Sequence, residues 1–458
     1  MLKNSIKTKF KEIVGTSNCW DNLEDLVAYS YDAAPETPRL PDIVVRPTYY
    51  EQVAEIIKLC AEEQIPIITR GAGTNLSGGA IPEKGGCVLL TTALNRILEI
   101  NSEDLYAVAQ AGVVTFKLAQ DVEKHGLFYP PDPGSMRYST LGGNVAENAG
   151  GLRGLKYGVT KDYLMGVKFF DTEGNLVIGG GKTVKLATGF NLPGLMVSSE
   201  GLLGVMVEFV LKLLPKPISS KSMLVIYDDI IKASKTVSQI IASKILPATL
   251  ELLDAFTIKT VEEATKIGLP TDADAILLIE VDGHPSAVED DYQKIINICN
   301  NLNGIIKVAN TPQEKEKIWE ARRKALSALA RLRPTVILED ATVPRSKIPD
   351  MMIAIKNIAK KYELTIGTFG HAGDGNLHPT ILTDKRDVKE MAKVRLAIDE
   401  LFDEALKLNG TLSGEHGIGS AKAKYLEKEI GRSTILFMKK LKKGLDPKDL
   451  LNPHKMGL

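Results

Sequence analysis

The chain has 458 residues, with 57 basic and 57 acidic side chains, six histidines and four cysteines. At ~100–200 residues per domain, this length predicts two or three domains, each able to bury a core. A net charge of zero argues against a nucleic-acid-binding protein, for which a basic excess or patch is typical. The cysteines lie too far apart to form a CxxC pair for zinc or an iron–sulfur cluster.

Nothing in the sequence indicates a membrane or secreted protein. The most apolar run, Leu202–Leu214, is interrupted by Glu208 and Lys212, and none reaches the ~18 residues of a membrane helix. Met1–Trp20 lacks the apolar core and cleavage site of a signal peptide. We therefore expect no integral membrane segment and a reducing, cytoplasmic location.

Glycine clusters mark the chain before residue 215. They lie at Gly71–Gly79, Gly142–Gly151, Gly179–Gly181 and Gly201–Gly204. Glu51–Glu63 has apolar residues at helical spacing and predicts a helix. Short β-type runs are predicted at Ile65–Thr69, Val88–Thr92, Tyr106–Gln110 and Val205–Leu211. The pattern indicates an α+β domain whose loops allow a ligand to approach the backbone closely.

A second domain is predicted after the Leu214–Pro217 segment, whose two prolines break strand pairing. Strands and helices alternate beyond it, which indicates an open sheet covered by helices on one face. Strands are predicted at 222–227, 249–253, 275–281 and 304–308. Helices are predicted at 230–243, 254–267, 286–302, 313–333, 346–361, 386–409 and 420–443.

The first glycine cluster follows a predicted strand and reads Arg70-Gly-Ala-Gly-Thr-Asn75. Successive small residues after a strand can direct their N–H groups at an anion such as a pyrophosphate. This is not the GxGxxG fingerprint, because the next glycine after Gly73 is Gly78. Taken alone, the cluster is more typical of tight turns. The loops at 130–135 and 142–151 also mix Gly with Asn, Ser or Thr, and the three together favour a nucleotide-type cofactor.

These loops carry a resemblance to a known family. Residues 70–75 resemble the first pyrophosphate loop of the vanillyl-alcohol-oxidase-type FAD domain, also called the PCMH fold, and residues 140–151 resemble its second flavin loop. With the segments 370–378 and 414–417, the chain is similar to the FAD-linked (R)-2-hydroxyacid dehydrogenases over roughly residues 37–455. That family includes D-lactate dehydrogenases, the D subunit of glycolate oxidase and D-2-hydroxyglutarate dehydrogenase.

The resemblance implies an α+β fold, with a PCMH-type FAD-binding domain of two α/β subdomains and an α/β cap domain with an antiparallel sheet. The implied organisation is an N-terminal helical segment (1–36), the FAD domain (37–215), the substrate or cap domain (216–419), and a C-terminal helical segment (420–458) that packs back on the FAD domain. The first loop contains no histidine for covalent attachment, so we expect non-covalent FAD. The expected FAD-binding residues are Arg70, Gly71, Ala72, Gly73, Thr74, Asn75, Pro131, Gly134, Ser135, Thr140, Gly142, Gly143, Asn144, Ala146, Asn148, Gly150, Gly151, Tyr157, Gly158, Glu200, Gly201, Gly204, Val205 and Asn452.

The second half contains the expected substrate chemistry. Arg322 occupies the position that resembles the family's carboxylate-binding arginine, and a guanidinium suits a carboxylate because it binds through two N–H groups. His371 and His378 flank the Gly373–Gly375 turn, which can fold them towards each other. With Glu415 they form a normal ligand set for a divalent metal such as Fe, Zn or Mn.

The metal would lower the pKa of a bound hydroxyl group, a role that the resemblance implies. His416 is the candidate general base, because an imidazole has an ordinary pKa near ~6.5 and is partly neutral at working pH. The expected catalytic residues are therefore His416, Arg322 and His371. Asn376 is a candidate for orienting the substrate or a ligand histidine, although an Asn beside glycines is equally typical of a turn.

The predicted activity is oxidation of D-lactate, or a similar small (R)-2-hydroxy acid, to the 2-oxo acid. Leu326 and Leu338 are apolar where the D-2-hydroxyglutarate branch places polar groups, which favours a small monocarboxylate over that alternative. Glycolate is another alternative, and a transferase like alkyl-glycerone-phosphate synthase or a non-catalytic flavin subunit is more remote. Because no second redox centre is predicted, we expect electrons to pass to a two-subunit electron-transfer flavoprotein, an iron–sulfur subunit or a quinone.

Overall fold

A computed structural model describes residues 2–458 of the chain, so Met1, the first residue of the predicted N-terminal segment, lies outside the described residues. The first half is built from short strands and mostly short helices. Its helices are α1 (Asn4–Val14), α2 (Leu23–Val27), α3 (Tyr50–Glu63), α4 (Thr115–Glu123), α5 (Leu141–Glu147), α6 (Gly154–Tyr157) and α7 (Leu192–Met196). Its strands are β1 (Cys19–Trp20), β2 (Ile43–Val45), β3 (Ile67–Arg70), β4 (Cys87–Leu90), β5 (Ile97–Asn101), β6 (Tyr106–Gln110), β7 (Leu127–Phe128), β8 (Leu164–Phe170), β9 (Leu176–Gly180), β10 (Val205–Lys212) and β11 (Leu214–Pro215).

The second half has longer elements. Its strands are β12 (Ser219–Tyr227), β13 (Thr249–Asp254), β14 (Ala275–Gly283), β15 (Ile305–Val308), β16 (Thr335–Leu338), β17 (Ala341–Thr342), β18 (Thr365–His371) and β19 (Asn376–Thr383). Its helices are α8 (Ile230–Ala242), α9 (Ala255–Thr265), α10 (Pro285–Asn301), α11 (Pro312–Leu329), α12 (Ile348–Tyr362), α13 (Val388–Lys407) and α14 (Ala423–Leu445). Within residues 2–458, every helix is too short or too polar to cross a membrane.

The chain forms two compact units. The first contains the residues up to Gly150, then Val159–Lys216 and Glu415–Leu458. The second contains Gly151–Gly158 and Pro217–Gly414. The chain therefore leaves the first unit twice and returns to it twice.

The first unit contains two main sheets. A four-stranded sheet has the order β1-β2-β4-β3, in which β2, β4 and β3 are parallel. Helices α1 and α3 cover it, and the apolar core between them includes Phe10, Ile56 and Ile57. An antiparallel five-stranded sheet has the order β5-β6-β10-β8-β9 and packs against α4 and α5. Residues 450–452 run beside β3, where Ile67 N–H donates to Leu450 O (2.7 Å) and Asn452 N–H donates to Ile67 O (2.8 Å).

The second unit is an antiparallel eight-stranded sheet in the order β15-β12-β14-β13-β18-β19-β16, with β17 paired to β19. The prediction that helices cover one face was wrong. Helices α8, α10, α12 and α13 pack on one face, and α9 and α11 pack on the other. The reason is that the central strands are apolar on both sides: Leu277 and Ile279 belong to one core, and Ile276 and Leu278 belong to the other.

Candidate functional site

In the first unit, two of the predicted flavin loops lie against each other. Thr140 precedes α5 and its Oγ1 accepts a hydrogen bond from Gly143 N–H (3.3 Å). A Cβ on Gly71 would overlap that same Oγ1 atom, so the residue after β3 must be glycine for the two loops to meet. Gly73 has a φ of +70°, and a Cβ there would overlap the guanidinium of Arg70. The structure thus brings the loops at 71–75 and 140–143 together.

Arg70 and Asn75, both predicted to bind the cofactor, are held by protein groups. Arg70 is buried beneath its loop and donates to Tyr31 O (2.7 Å). The Asn75 side-chain amide donates to the buried carboxylate of Asp32 (2.5 Å), which also accepts from Ala80 N–H (3.3 Å). These contacts fix the shape of the first loop, and Asp32 is a contributor that the sequence analysis missed.

Glu200 and Asn452 connect three loops of the first unit. The Glu200 carboxylate accepts from the N–H groups of Ile418 (2.6 Å) and Gly419 (2.7 Å). The Asn452 amide donates to Gly79 O (2.9 Å) and Glu200 O (2.7 Å). Both side chains are buried, so they hold the protein backbone together at the predicted cofactor loops.

The buried oxygen atoms of this unit without a hydrogen-bond partner among residues 2–458 include Thr69 Oγ1, Ser199 Oγ and Asn452 Oδ1. Gly201 has both Asn452 and Thr69 within 4.0 Å of the position of an added Cβ. Buried polar atoms normally have a partner, so each of these positions requires one. Their chemistry fits a ligand with several polar groups, as a dinucleotide cofactor has.

Other predicted cofactor residues have different surroundings. The Asn144 amide donates to Thr115 Oγ1 (2.7 Å), and Asn148 Oδ1 accepts from Lys161 N–H (2.9 Å). An added Cβ at Gly134 would meet open space. Tyr157 belongs to the second unit, where its hydroxyl donates to Asp282 (2.8 Å).

In the second unit, His371 and His378 lie on the hairpin that β18 and β19 form. His371 pairs with Asn376 and Phe369 pairs with His378, so the two histidines are diagonal neighbours on one face of the sheet. Their ring centroids are 5.2 Å apart, with the rings nearly perpendicular. Each offers a ring nitrogen within 4.8 Å of the other, a spacing that fits two ligands of one metal ion.

Glu251 joins His371 to Arg322. It lies on β13, is fully buried, and its Oε1 atom is 2.8 Å from His371 Nδ1. Its Oε2 atom accepts a hydrogen bond from Arg322 Nε, and the Arg322 guanidinium stacks 4.7 Å from the ring centroid of Phe369. Burial alone would raise the pKa of Glu251, but the charges of His371 and Arg322 and their hydrogen bonds hold it below its ordinary value. The carboxylate is therefore ionised and can only accept hydrogen bonds.

Helix α11 positions Arg322. It begins with a capping box, in which Thr311 Oγ1 accepts from Glu314 N–H (3.2 Å) and the Glu314 carboxylate accepts from Thr311 N–H (3.1 Å). One turn before Arg322, the Trp319 indole N–H donates to Glu280 (3.2 Å) on β14. The helix is thus capped at its start and tied to the sheet one turn before the arginine.

Asn376 opens β19 beside His371. Its amide nitrogen donates to Asp340 and to Thr342 Oγ1 (2.5 Å), while its Oδ1 atom is buried without a partner in the described part of the chain. Asp340 is fully buried and also accepts from Ser413 Oγ (2.8 Å). This arrangement leaves one amide oxygen at the histidine hairpin as a free acceptor.

Glu415 and His416 belong to the first unit, whereas the two hairpin histidines belong to the second, so the predicted ligand set is divided between the units. A Cβ on Gly150 would lie 2.6 Å from a carboxylate oxygen of Glu415, which places that side chain against the second flavin loop. His416 is a largely buried imidazole whose Nε2 atom is 3.9 Å from Glu415 Oε1.

Glu251 and Asp340 were not predicted as site residues. Glu251 interrupts a run of apolar strand residues, Leu250-Glu-Leu-Leu253, whereas Asp340 follows Glu339 in the short connection between β16 and β17. A charged residue at a strand position with apolar neighbours is buried only when it is paired. That pattern was the available signal, although it does not identify the partners.

Two family models match the chain. The C-terminal domain of FAD linked oxidases matches residues 216–456, and the FAD binding domain matches residues 41–180. The chain belongs to the FAD-linked oxidases. Over 457 residues this FAD-linked oxidase is 50% identical to glycolate oxidase subunit GlcD of Bacillus subtilis (strain 168), covering 100% of the chain and 97% of the relative. It is 35% identical to the D-lactate dehydrogenase of Anaerostipes hadrus, covering 98% of the chain and 96% of that relative.

A solved structure shows the same fold. The model of this FAD-linked oxidase matches p-cresol methylhydroxylase with bound substrate at a TM-score of 0.82 and 18% identity, over 99% of the chain and 96% of that structure. The predicted PCMH-type fold is confirmed, as is membership of the FAD-linked hydroxyacid-oxidising type. FAD is the cofactor of the family, and the touching glycine loops and unpartnered buried oxygens of the first unit fit it.

Proposed function

We propose that this FAD-linked oxidase oxidises a small 2-hydroxy monocarboxylate to the 2-oxo acid, with D-lactate as the first candidate substrate. The observation that carries the proposal is the trio of His371, His378 and Arg322 on one face of the second unit's sheet, with Arg322 and His371 sharing Glu251. Two imidazoles and a guanidinium next to each other suit a ligand that carries a hydroxyl group beside a carboxylate.

Each residue has a separate role in the proposed reaction. Arg322 holds the substrate carboxylate, and the donor set of His371 and His378 fits a divalent metal, which lowers the pKa of the hydroxyl group when bound. We include Glu415 as the third ligand because it directly follows Gly414, which packs against Asn376, the register partner of His371. His416 takes the hydroxyl proton as general base. FAD bound without a covalent link would supply the acceptor for the hydride.

The substrate's size is the basis for preferring lactate to a dicarboxylate. Leu326 lies one helical turn after Arg322, and both Leu326 and Leu338 pack against the apolar cluster that contains Phe369. A second carboxylate placed beside these side chains would lose its hydration without gaining a partner, which costs several kcal/mol or more. Glycolate is a second candidate, because the relative with 50% identity is named a glycolate oxidase subunit.

Electrons then leave the flavin through another protein or a diffusible acceptor. All four cysteines are buried and free. We propose a two-subunit electron-transfer flavoprotein as acceptor, with an iron–sulfur subunit as the alternative. The name of the Bacillus relative, a glycolate oxidase subunit, supports the need for a protein partner. Rapid electron transfer from lactate to NAD by the purified chain alone would contradict this proposal.

Anaerobic bleaching of the bound flavin tests the proposed function. D-lactate should bleach it faster than L-lactate and 2-hydroxyglutarate, and the ratio of the D-lactate and glycolate rates decides between the two candidates. The variant His416→Ala should retain FAD but lose bleaching, because the base is absent. A flavin that none of these acids reduces would overturn the proposal, and unchanged bleaching in His416→Ala would overturn the role of the base.

A further inference from the structure

Glu251 occupies a position that neither packing nor surface charge explains. Glu251 lies on β13 and its side chain is completely buried. Its neighbours Leu250 and Leu252 belong to one apolar core, and because side chains alternate along a strand, the Glu251 side chain points to the opposite face of the sheet. A buried carboxylate is costly unless its oxygens are paired and hydrogen-bonded. Here one oxygen faces His371 Nδ1 at 2.8 Å and the other accepts from Arg322 Nε.

The contact with His371 fixes which ring nitrogen carries the proton. Glu251 accepts from the Arg322 guanidinium through Oε2, so its other oxygen is the acceptor in the 2.8 Å contact with His371, and the proton of that contact lies on Nδ1. The lone pair is then on Nε2, the nitrogen that would coordinate a metal. Carboxylates that accept from the far nitrogen of a ligand histidine orient the ring and raise its basicity.

The contact between Glu251 and Arg322 orients the guanidinium. The hydrogen bond to Glu251 uses the Nε–H of the guanidinium, and Phe369 fixes its plane by stacking at 4.7 Å. The two terminal nitrogens are not used by Glu251, and together they form the edge that binds a carboxylate through two N–H groups. One carboxylate therefore contacts both functional groups, His371 at Nδ1 and Arg322 at Nε.

We propose that Glu251 is the positioning residue of the site, which sets the tautomer of His371 and the orientation of Arg322 at the same time. This inference rests on the proposed function for the nature of the ligands, but not for the geometry. It follows that the substrate-binding and metal-binding parts of the site depend on one side chain. Replacing Glu251 should therefore weaken substrate binding and metal binding together. A substitution that only loosens α11 should not have this combined effect.

Glu251→Gln is the decisive variant. A Gln side chain has one acceptor oxygen and one NH₂ group, so it cannot accept from both His371 and Arg322. If the NH₂ group faces His371, it stabilises the tautomer with the proton on Nε2. A protonated Nε2 has no lone pair with which to bind a metal. Glu280→Gln is the matched control, because Glu280 anchors the same helix through Trp319 but has no hydrogen bond with His371 or Arg322.

The first measurement is the His371 tautomer in metal-free protein, from ¹⁵N NMR with the signal assigned by its absence in His371→Gln. We expect the Nδ1–H form in the wild type and in Glu280→Gln, and a shift to the Nε2–H form in Glu251→Gln. A wild-type His371 in the Nε2–H form would overturn the proposal, and this arm needs no variant at Glu251 that folds.

The second measurement is affinity for Zn²⁺, from competition with a chromogenic chelator, together with the dissociation constant of D-lactate in anaerobic flavin reduction. Glu251→Gln should weaken Zn²⁺ binding about 10- to 100-fold, the range for loss of such a partner, and should also weaken D-lactate binding. Glu251→Asp, which keeps the charge, should recover part of the metal affinity. Values for Glu251→Gln within twofold of Glu280→Gln would refute the positioning role.

The outcomes separate this inference from the proposed function. If no 2-hydroxy acid reduces the wild-type flavin, the proposed function fails, while the His371 tautomer still decides the role of Glu251. If D-lactate reduces the wild type and the His371 tautomer does not respond to Glu251→Gln, the function stands and the positioning role fails.

Discussion

Replacing Arg322 with lysine keeps the positive charge and removes the planar fork of donors. In the wild type the Nε–H binds Glu251 and the terminal nitrogens remain for the substrate carboxylate. A lysine ammonium must serve both carboxylates from a single nitrogen. We expect the loss of at least one charge-assisted hydrogen bond, worth about 1.5–3 kcal/mol, and the side chain is only 11% exposed, so water does not replace it well. This corresponds to about a 10- to 150-fold loss of affinity.

Anaerobic stopped-flow reduction of the flavin by D-lactate measures this loss. The dependence of the bleaching rate on substrate concentration gives a dissociation constant and a limiting rate, and Arg322→Lys should mainly raise the dissociation constant. Arg323→Lys is the matched control, since the neighbouring Arg323 is 43% exposed and pairs with Glu316. Equal dissociation constants for the two variants would show that Arg322 does not bind the substrate carboxylate.

Two further predictions concern the FAD loops and the cap sheet. Gly71→Ala should be purified with much less than one FAD per chain, because its Cβ would overlap Thr140; Gly444→Ala, whose Cβ meets open space in α14, should retain full FAD. The flavin is measured in the supernatant after acid precipitation, and a yellow wild-type pellet would contradict non-covalent binding. Burial, with the charge of Asp274, raises the pKa of Asp254 from an ordinary 3.8 to about 6. The folded state therefore keeps this proton to a higher pH than the unfolded state, and wild-type stability falls as the pH rises between these values. Relative to the wild type, Asp254→Asn should therefore gain about 2 kcal/mol of unfolding free energy between pH 4 and 7 in denaturant titrations, and a constant difference would refute the assignment.

Local patterns in the sequence were sufficient to predict much of the fold. The helix predicted at Glu51–Glu63 is α3 (Tyr50–Glu63), and the apolar run Val205–Leu211 is β10 (Val205–Lys212). The strands β18 and β19 were not predicted, because residues 365–371 and 376–383 mix glycine, threonine and histidine with few apolar residues; β16 and β17, also not predicted, are only four and two residues long. Their pairing is set by long-range contacts in the sheet, which short-range periodicity does not contain.

For the candidate site, too, local sequence patterns predicted one part and missed another. The glycine turn at 373–375 predicted that His371 and His378 could approach each other, and the hairpin has their rings 5.2 Å apart. Glu251 was missed because its partners are 71 and 120 residues away in the chain. A single sequence shows that a buried charge needs a partner, but it does not show which distant residue supplies it.

The charge balance around Glu251 links the arginine to the metal. Glu251 already pairs with Arg322, so a substrate carboxylate would bring an additional negative charge to a buried arginine whose charge is already offset. Such a charge is costly unless a further cation offsets it. Histidines that ligate a metal do so through an unprotonated nitrogen and add no charge, so in the proposed site the divalent ion itself would supply it. In the proposed site a bound metal would therefore contribute to binding the carboxylate as well as to lowering the pKa of the hydroxyl group, whereas His416 would contribute only to the proton transfer.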